Sequence, residues 1–322
     1  MDPHETTRAL EAVNATIRSV VHGQPEVIRQ VLVALFAGGH VLLEGAPGLG
    51  KTLLARTLAR ALGCRFRRIQ FTPDLMPADV TGGNIFNQAE HRFEFMAGPV
   101  FTEVLLADEI NRAPARTQAA LLEAMGDRQV TIDGATRRLA RPFFTIATQN
   151  PIESEGTWPL PEAQLDRFML KVIVPSPPKS VEIAILQAHL AGFDAASLDE
   201  ATITPVLDAA SLVRAQDALR RVHVEPPVVD YIAELVGRTR SHRSVLVGAS
   251  PRASVALLSG AQVIAVAEGR DFVIPDDVKE LAAPVLRHRL ILHPEAEIDG
   301  ATAEEVVAEL VRDTPTPSAR TR

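Results

Sequence analysis

The hydrophobic rhythm of the chain changes several times along its length. Residues 5–21 place Leu10, Val13, Ile17 and Val20 or Val21 at helical spacing. His22-Gly23-Gln24 interrupts that helix. Pro25 then takes a favoured first helical position, and Val27, Ile28, Val31, Leu32 and Leu35 form the next apolar stripe. Gly38-Gly39 closes it. From His40 onward short apolar runs without alternation appear, at residues 40–44, 66–71, 104–107, 143–148 and 168–174. Separated by helical or turn segments, such runs predict strands buried on both faces of a parallel sheet. Residues 51–62 return to helical spacing and stop at Gly63.

Two segments alternate instead. Residues 84–96 do so around Asn87-Gln88-Ala89-Glu90, and residues 130–139 turn at Asp133-Gly134, a strong hairpin signal. Pro175-Ser176-Pro177-Pro178 continues neither strand nor helix. Beyond it every periodic segment is helical: 181–190, 211–221, 227–240, 253–267, 275–287 and 303–311. The expected organisation is an α/β domain over residues 1–178 with hairpin inserts near 84–96 and 130–139. A small all-helical domain over 179–312 and a flexible tail over 313–322 follow.

Composition narrows the class. The chain has 322 residues, 46% hydrophobic and 23% charged, the balance of a soluble globular protein of about two domains. Its 33 basic and 40 acidic residues exclude a basic nucleic-acid coat. The first 178 residues are nearly neutral, with 18 basic and 19 acidic, while the remainder carries 15 and 21. The single cysteine, Cys64, excludes an intrachain disulfide and points to a reducing compartment, so a cytoplasmic location is expected. The N-terminal stretch is acidic rather than signal-like, and the best membrane candidate, 253–267, is short and interrupted by Ser259, Gly260 and Gln262. Direct membrane insertion is therefore not expected.

Candidate chemistry begins where the first apolar run ends. Gly45-Ala46-Pro47-Gly48-Leu49-Gly50-Lys51-Thr52 matches G-x-x-x-x-G-K-[ST] in full, between a strand and a helix that continues through Leu53. The glycines let backbone N–H groups converge on phosphate oxygens, and the helix points its positive end at them. Lys51 adds a full charge, and Thr52 offers a hydroxyl to Mg²⁺. Only four lysines accompany 29 arginines, so a chance match at Lys51 is less expected. ATP with Mg²⁺ is the implied ligand. The apolar run 104–107 ends in Asp108-Glu109. Asp108 can hold Mg²⁺ through water, and Glu109 can polarise the water that attacks the γ-phosphate. Solvated acids at a strand end are common, but the complete phosphate loop gives this pair a partner.

These residues resemble the MoxR family of AAA+ ATPases. Besides the phosphate loop, the resemblance is carried by Leu106-Ala107-Asp108-Glu109-Ile110-Asn111-Arg112-Ala113, Thr117-Gln118-Ala119-Ala120-Leu121-Leu122-Glu123-Ala124-Met125 and Ala147-Thr148-Gln149-Asn150-Pro151. It continues in Leu160-Pro161-Glu162-Ala163-Gln164-Leu165-Asp166-Arg167-Phe168 and Gly248-Ala249-Ser250-Pro251-Arg252-Ala253. The family implies an αβα phosphate-loop domain with a mostly parallel sheet, followed by a helical lid. It also implies homo-oligomeric rings, usually hexamers, with ATP at subunit interfaces.

Roles for further residues come with the resemblance. Asn150 matches sensor 1, beside Glu109, although an Asn before Pro151 also caps turns. Arg167 matches the arginine finger that reaches the neighbouring subunit's γ-phosphate. Arg252 matches sensor 2; an arginine opening a helix also calls for an anionic partner on dipole grounds. Gly23 and Gln24 lie in the stretch that lines the adenine pocket in the family, or simply in a loop between helices. Arg112 and Arg116 are candidates for an interface. The two hairpins project toward the pore or one face in family rings, which makes them candidates for gripping a client.

The family acts as chaperone-like motors that help mature a client protein, often by metal cofactor insertion. Its partners often carry a von Willebrand factor A domain. Two other readings stay open at this point. A DNA-associated motor would want more basic pore hairpins, and net charge −7 argues against it. A nucleotide-gated scaffold with little turnover would be signalled by loss of Glu109, Asn150 or Arg167, all of which are present.

Overall fold

The computed structural model describes residues 3–151, 157–194 and 203–317. In chain order the first elements are α1 (Pro3–Arg18), α2 (Pro25–Ala37), β1 (Val41–Glu44), α3 (Lys51–Ala61), β2 (Phe66–Gln70), α4 (Pro77–Thr81), β3 (Gly82–Asn87) and β4 (Arg92–Ala97). Then come β5 (Val104–Asp108), α5 (Ala115–Asp127), β6 (Gln129–Ile132), β7 (Ala135–Arg138), β8 (Phe144–Gln149), α6 (Glu162–Leu165) and β9 (Leu170–Ile173). The last part holds α7 (Lys179–Leu190), α8 (Ala209–Leu219), α9 (Pro226–Thr239), β10 (Val245–Val247), α10 (Pro251–Ala267), α11 (Pro275–Leu286), β11 (Ile291–Leu292), α12 (Pro294–Ile298) and α13 (Ala303–Asp313).

Five strands form one parallel sheet in the order β2-β5-β8-β1-β9. Every apolar run expected to be a strand becomes one. β5 is buried at every position and β8 at all but its last, as flanking on both faces requires. β2 departs from the expectation. As an edge strand it exposes Arg67, Arg68 and Gln70, charged and polar side chains that blunt the unpaired edge.

Both hairpins form. β6 and β7 turn at Asp133 and Gly134, with φ of 50° and 78°, the two positive values that a type I′ turn needs. β3 pairs with β4, and the two hairpins lean on each other. The Arg137 guanidinium lies 3.8 Å from the Phe95 ring centre, and Asn84 Nδ2 donates to Asp133 Oδ2 at 2.6 Å.

The C-terminal part is helical, as expected, with one addition. β10 and β11 pair antiparallel, and runs of three and two residues are too short for periodicity to reveal. One apolar cluster joins the layers. It runs from Val13 and Ile17 of α1 and Leu32 of α2 through β1 and β9 to Leu257 of α10 and Leu281 of α11. Order also extends further than expected at the C-terminal end. Asp313 closes α13, and Thr314 is buried with its hydroxyl donating to the Leu310 carbonyl at 2.6 Å. Residues 318–322 of the expected tail lie outside the described residues. Among the described residues no helix is long and apolar enough to cross a membrane.

His40 locks the start of β1 to its neighbours. Its ring packs against Phe143 and Phe144. Nδ1 accepts from the Thr145 N–H at 3.0 Å, so Nε2, 3.2 Å from the Met125 carbonyl, carries the proton. Burial pushes this imidazole down to about 4. The unfolded chain takes up a proton near pH 6.5, whereas the folded chain resists until about pH 4. The stability that neutral His40 contributes is therefore complete above pH 6.5 and declines as pH falls toward 4, by about 1.4 kcal/mol per unit. Replacing His40 with Asn should lower the melting temperature at pH 7.5. It should also shrink the difference between melts at pH 7.5 and pH 5. An unchanged difference in the variant would assign the acid sensitivity to other groups.

Candidate nucleotide site

The phosphate loop leaves β1 at Glu44 and enters α3 at Lys51. Gly48 and Gly50 adopt φ of 80° and 75°, and a Cβ on either would meet nothing within 4 Å. Glycine is demanded here by backbone conformation, and the open side leaves the N–H groups at the α3 start accessible. Gly45 has the opposite reason, because a Cβ there would stand 2.8 Å from the Val174 carbonyl at the end of β9. Lys51 Nζ donates to the Gly45 carbonyl at 2.6 Å. Burial lowers the Lys51 pKa, and the charges of Asp108, Glu109 and Glu44 act against that. Ala46 and Pro47 complete the loop, and Thr52 and Leu53 stand in the first turn of α3. A glycine cradle, a helix start and one partly desolvated lysine fit a nucleoside triphosphate.

A cavity of about 450 Å³ adjoins this loop. Val21, Gln24, Leu49, Ile185, Leu186 and His189 contribute to its lining. Gln24 Nε2 donates to the Leu49 carbonyl at 2.8 Å and so ties the inter-helix turn to the phosphate loop. Gly23 has φ 73°, and a Cβ there would come within 2.3 Å of Val181 at the start of α7. Of the expected pair, Gln24 thus lines the cavity, and Gly23 packs against α7 next to it. The roof provided by α7 was not legible in the sequence, where α7 reads as one more lid helix.

The acidic pair ends β5. Asp108 Oδ1 accepts from Thr148 Oγ1 at 2.5 Å, and Oδ2 accepts from Arg68 Nη2 at 2.7 Å. The same Thr148 oxygen accepts from the Glu109 N–H at 2.8 Å. Glu109 is held in the left-handed region, φ 55°, which re-aims its side chain just past the strand. Its Oε2 accepts from Gln70 Nε2 at 2.7 Å and pairs with Arg112 Nε at 3.1 Å. Arg112, a candidate for an interface, therefore has a partner at its own site, while Arg116 is exposed on α5. Asn150 follows β8 directly, two residues past Thr148, and is buried. Thr52 and Asp108 supply one hydroxyl and one carboxylate, a donor set that suits Mg²⁺ when phosphates and waters complete its shell. Among the described residues no cluster of three His, Cys, Asp or Glu side chains could hold a metal by itself. Arg68, Gln70 and Thr148 escaped the sequence reading, since polar residues in an edge strand and a threonine near a strand end are ordinary.

The remaining arginines gather elsewhere. Arg167 Nη1 donates to the Leu122 carbonyl at 2.8 Å, lying across Gly126 of α5, where a Cβ would come within 1.8 Å of that nitrogen. Arg252, in the first turn of α10, has Nη1 3.6 Å from Asp166 Oδ2. The anionic partner that its helix position requires is thus a carboxylate beside Arg167.

Fold and site together define a phosphate-loop αβα domain with a helical lid. Comparison with known sequences agrees. Residues 40–170 match the profile of the ATPase family associated with various cellular activities, and residues 237–310 match the AAA lid domain. The chain is 45% identical to the uncharacterized protein YeaC of Bacillus subtilis, over 97% of this chain and 95% of that one. It is 41% identical to Chaperone MoxR1 of Mycobacterium tuberculosis, over 96% and 82%, and 31% identical to Protein MoxR of Methylorubrum extorquens, over 92% and 90%. A crystal structure of a provisionally described ATPase from Cytophaga hutchinsonii superposes with a TM-score of 0.89 at 38% identity, covering 98% of this chain and 97% of that one. The chain belongs to the AAA+ ATPase family and has MoxR-related homologues along nearly its whole length.

The Gly23–Val181 contact generates a test. Gly23→Ala must move α7 away from the inter-helix turn and also strain a positive φ, a cost of about 1–3 kcal/mol. Its melting temperature should fall, and its nucleotide affinity should fall with it. Adding Val181→Ala should restore part of both. Calorimetric melts and nucleotide titrations on the single and double variants measure this, and strict additivity would refute the contact's importance.

Proposed function

We propose that the chain is a Mg²⁺-dependent ATP hydrolase of the MoxR type that works as a ring-forming, chaperone-like remodelling motor. The observation that carries the hydrolase reading is the acidic pair Asp108 and Glu109 past β5, pinned by one Thr148 hydroxyl, whose charges act on Lys51 of the phosphate loop. Glu109 takes the proton of the attacking water, and Lys51 with the α3 N-terminus balances phosphate charge. Thr52 and Asp108 hold Mg²⁺, which when bound neutralises charge on the phosphate oxygens. Asn150 orients the water. The domain division proposed is 1–178 for nucleotide binding and 179–312 for the lid.

For assembly and partners the reading draws on the family resemblance. The name Chaperone MoxR1 supports remodelling of a client protein or complex. A homo-oligomeric ring, hexameric as in the family, lets Arg167 serve the neighbouring subunit's ATP. A separate protein with a von Willebrand factor A domain is the proposed partner, and metal cofactor insertion is one candidate outcome. Nucleic acid is not a proposed ligand.

Three variants test the reading, with nucleotide binding followed by calorimetry and turnover by phosphate release. Lys51→Ala should lose nucleotide binding. Glu109→Gln should keep binding and lose turnover by about 10²–10⁴-fold. Arg167→Ala should retain most of its ATP affinity and lose about 10³-fold in turnover. Full turnover in Glu109→Gln would sink the assignment of the base.

A further inference from the structure

Asp166 precedes Arg167 and is held almost entirely by the lid. Its Oδ1 accepts from Arg289 Nε at 2.7 Å. Its Oδ2 accepts from Ser250 Oγ at 3.0 Å and lies 3.6 Å from Arg252 Nη1. Ser250 and Arg252 open α10, and Arg289 lies just past α11, so three lid residues converge on one carboxylate.

Arg289 does more than neutralise a charge. Its side chain is only 3% exposed. Nη2 donates to the Phe168 carbonyl at 2.7 Å, and Nη1 donates to the Met169 carbonyl at 3.1 Å and to the Val285 carbonyl. A buried guanidinium needs a counter-charge and a full set of acceptors, and here the carboxylate of Asp166 and the carbonyls of 168 and 169 supply them. The backbone on both sides of Arg167 is thus fastened to the lid. The Arg167 side chain faces the other way, onto Leu122 and Gly126 of α5, just before the chain enters the β6–β7 hairpin.

We propose that Asp166 and Arg289 are positioning residues through which the lid sets the placement of Arg167. The inference rests on the reading of Arg167 as the residue that serves the neighbouring subunit's ATP. It adds a direction to that reading. The lid of one subunit governs hydrolysis next door rather than its own, because its ion pair and hydrogen bonds hold residues 166, 168 and 169 on either side of Arg167. A misplacement on the ångström scale at such a group is enough to cost one to two orders of magnitude in rate.

Mixed rings of the full chain separate the two directions. Acceptor subunits carry Arg167→Ala and keep a competent site. Donor subunits carry Glu109→Gln and keep the arginine. Mixing the two should restore ATP turnover. Adding Asp166→Asn or Arg289→Gln to the donors should cut that restored turnover by about tenfold or more, with the KM for ATP unchanged. Adding Asp166→Asn to the acceptors instead should leave it within about twofold.

Equal loss from donors and acceptors would mean a merely structural contact, and no loss from modified donors would mean that the lid does not place Arg167; either overturns the proposal. Failure of the unmodified pair to restore any turnover would instead overturn the reading of Arg167 on which the proposal stands. Should Asp166→Asn lose its melting transition, Ser250→Ala decides the matter. It removes one of the lid's contacts to Asp166 while keeping the Arg289 pair, and it should show a smaller donor-only loss. A Ser250→Ala donor without any loss would count against the proposal.

Discussion

Parallel strand direction is the constraint on which this molecule depends. All strands of the central sheet run the same way, so their carboxyl ends meet at one edge. In register, Gln70 stands opposite Asp108, and Glu44 stands opposite both Gln149 and Ile173. The phosphate loop, the acidic pair and Asn150 therefore share one neighbourhood without any local sequence proximity. The order β2-β5-β8-β1-β9 also decides what lies between them. β8 separates β5 from β1, which is why its Thr148 hydroxyl can bind Asp108 and the Glu109 N–H together.

That edge carries both strain and charge, and the same few side chains answer for each. Glu109 in the left-handed region costs on the order of 1–3 kcal/mol. Its N–H bond to Thr148 and its carboxylate contacts with Gln70 and Arg112 offset the cost while fixing where the carboxylate points. Asp108 meets the Arg68 guanidinium from β2. A cation joining Asp108 would compete with that guanidinium, which would tie the proposed Mg²⁺ site to the sheet's outer edge.

Local patterns in the sequence were legible because their physics is local. The phosphate loop, the apolar runs and the Asp133-Gly134 turn each need only neighbouring residues to be recognised, and each forms where expected. Arg68, Gln70 and Thr148 were not legible, because each acts on a residue about 40 positions away in another strand. The exposure of β2 was misjudged for a related reason. Its position at the sheet edge follows from topology, which no run of five residues contains. Arg252 shows the same limit, since its helix position demands an anion but does not say which one.

The lid is attached to the rest of the molecule by two unlike contacts. Against α1 and α2 it packs through α8 and α10 with buried aliphatic side chains in one continuous core. Against residues 166–169 it makes ion pairs and hydrogen bonds through Ser250, Arg252, His288 and Arg289. These surfaces respond differently to displacement. Close-packed apolar contacts lose energy steeply when opened and have no alternative partner nearby. Charged and polar groups fix direction as well as distance, and a guanidinium as buried as that of Arg289 keeps its carboxylate because an unpaired buried charge is costly. The apolar side thus anchors the lid, and the polar side passes its position to residues 166–169. Because that polar side is built around the residue before Arg167, the part of the lid contact that fixes direction is also the part that adjoins the arginine.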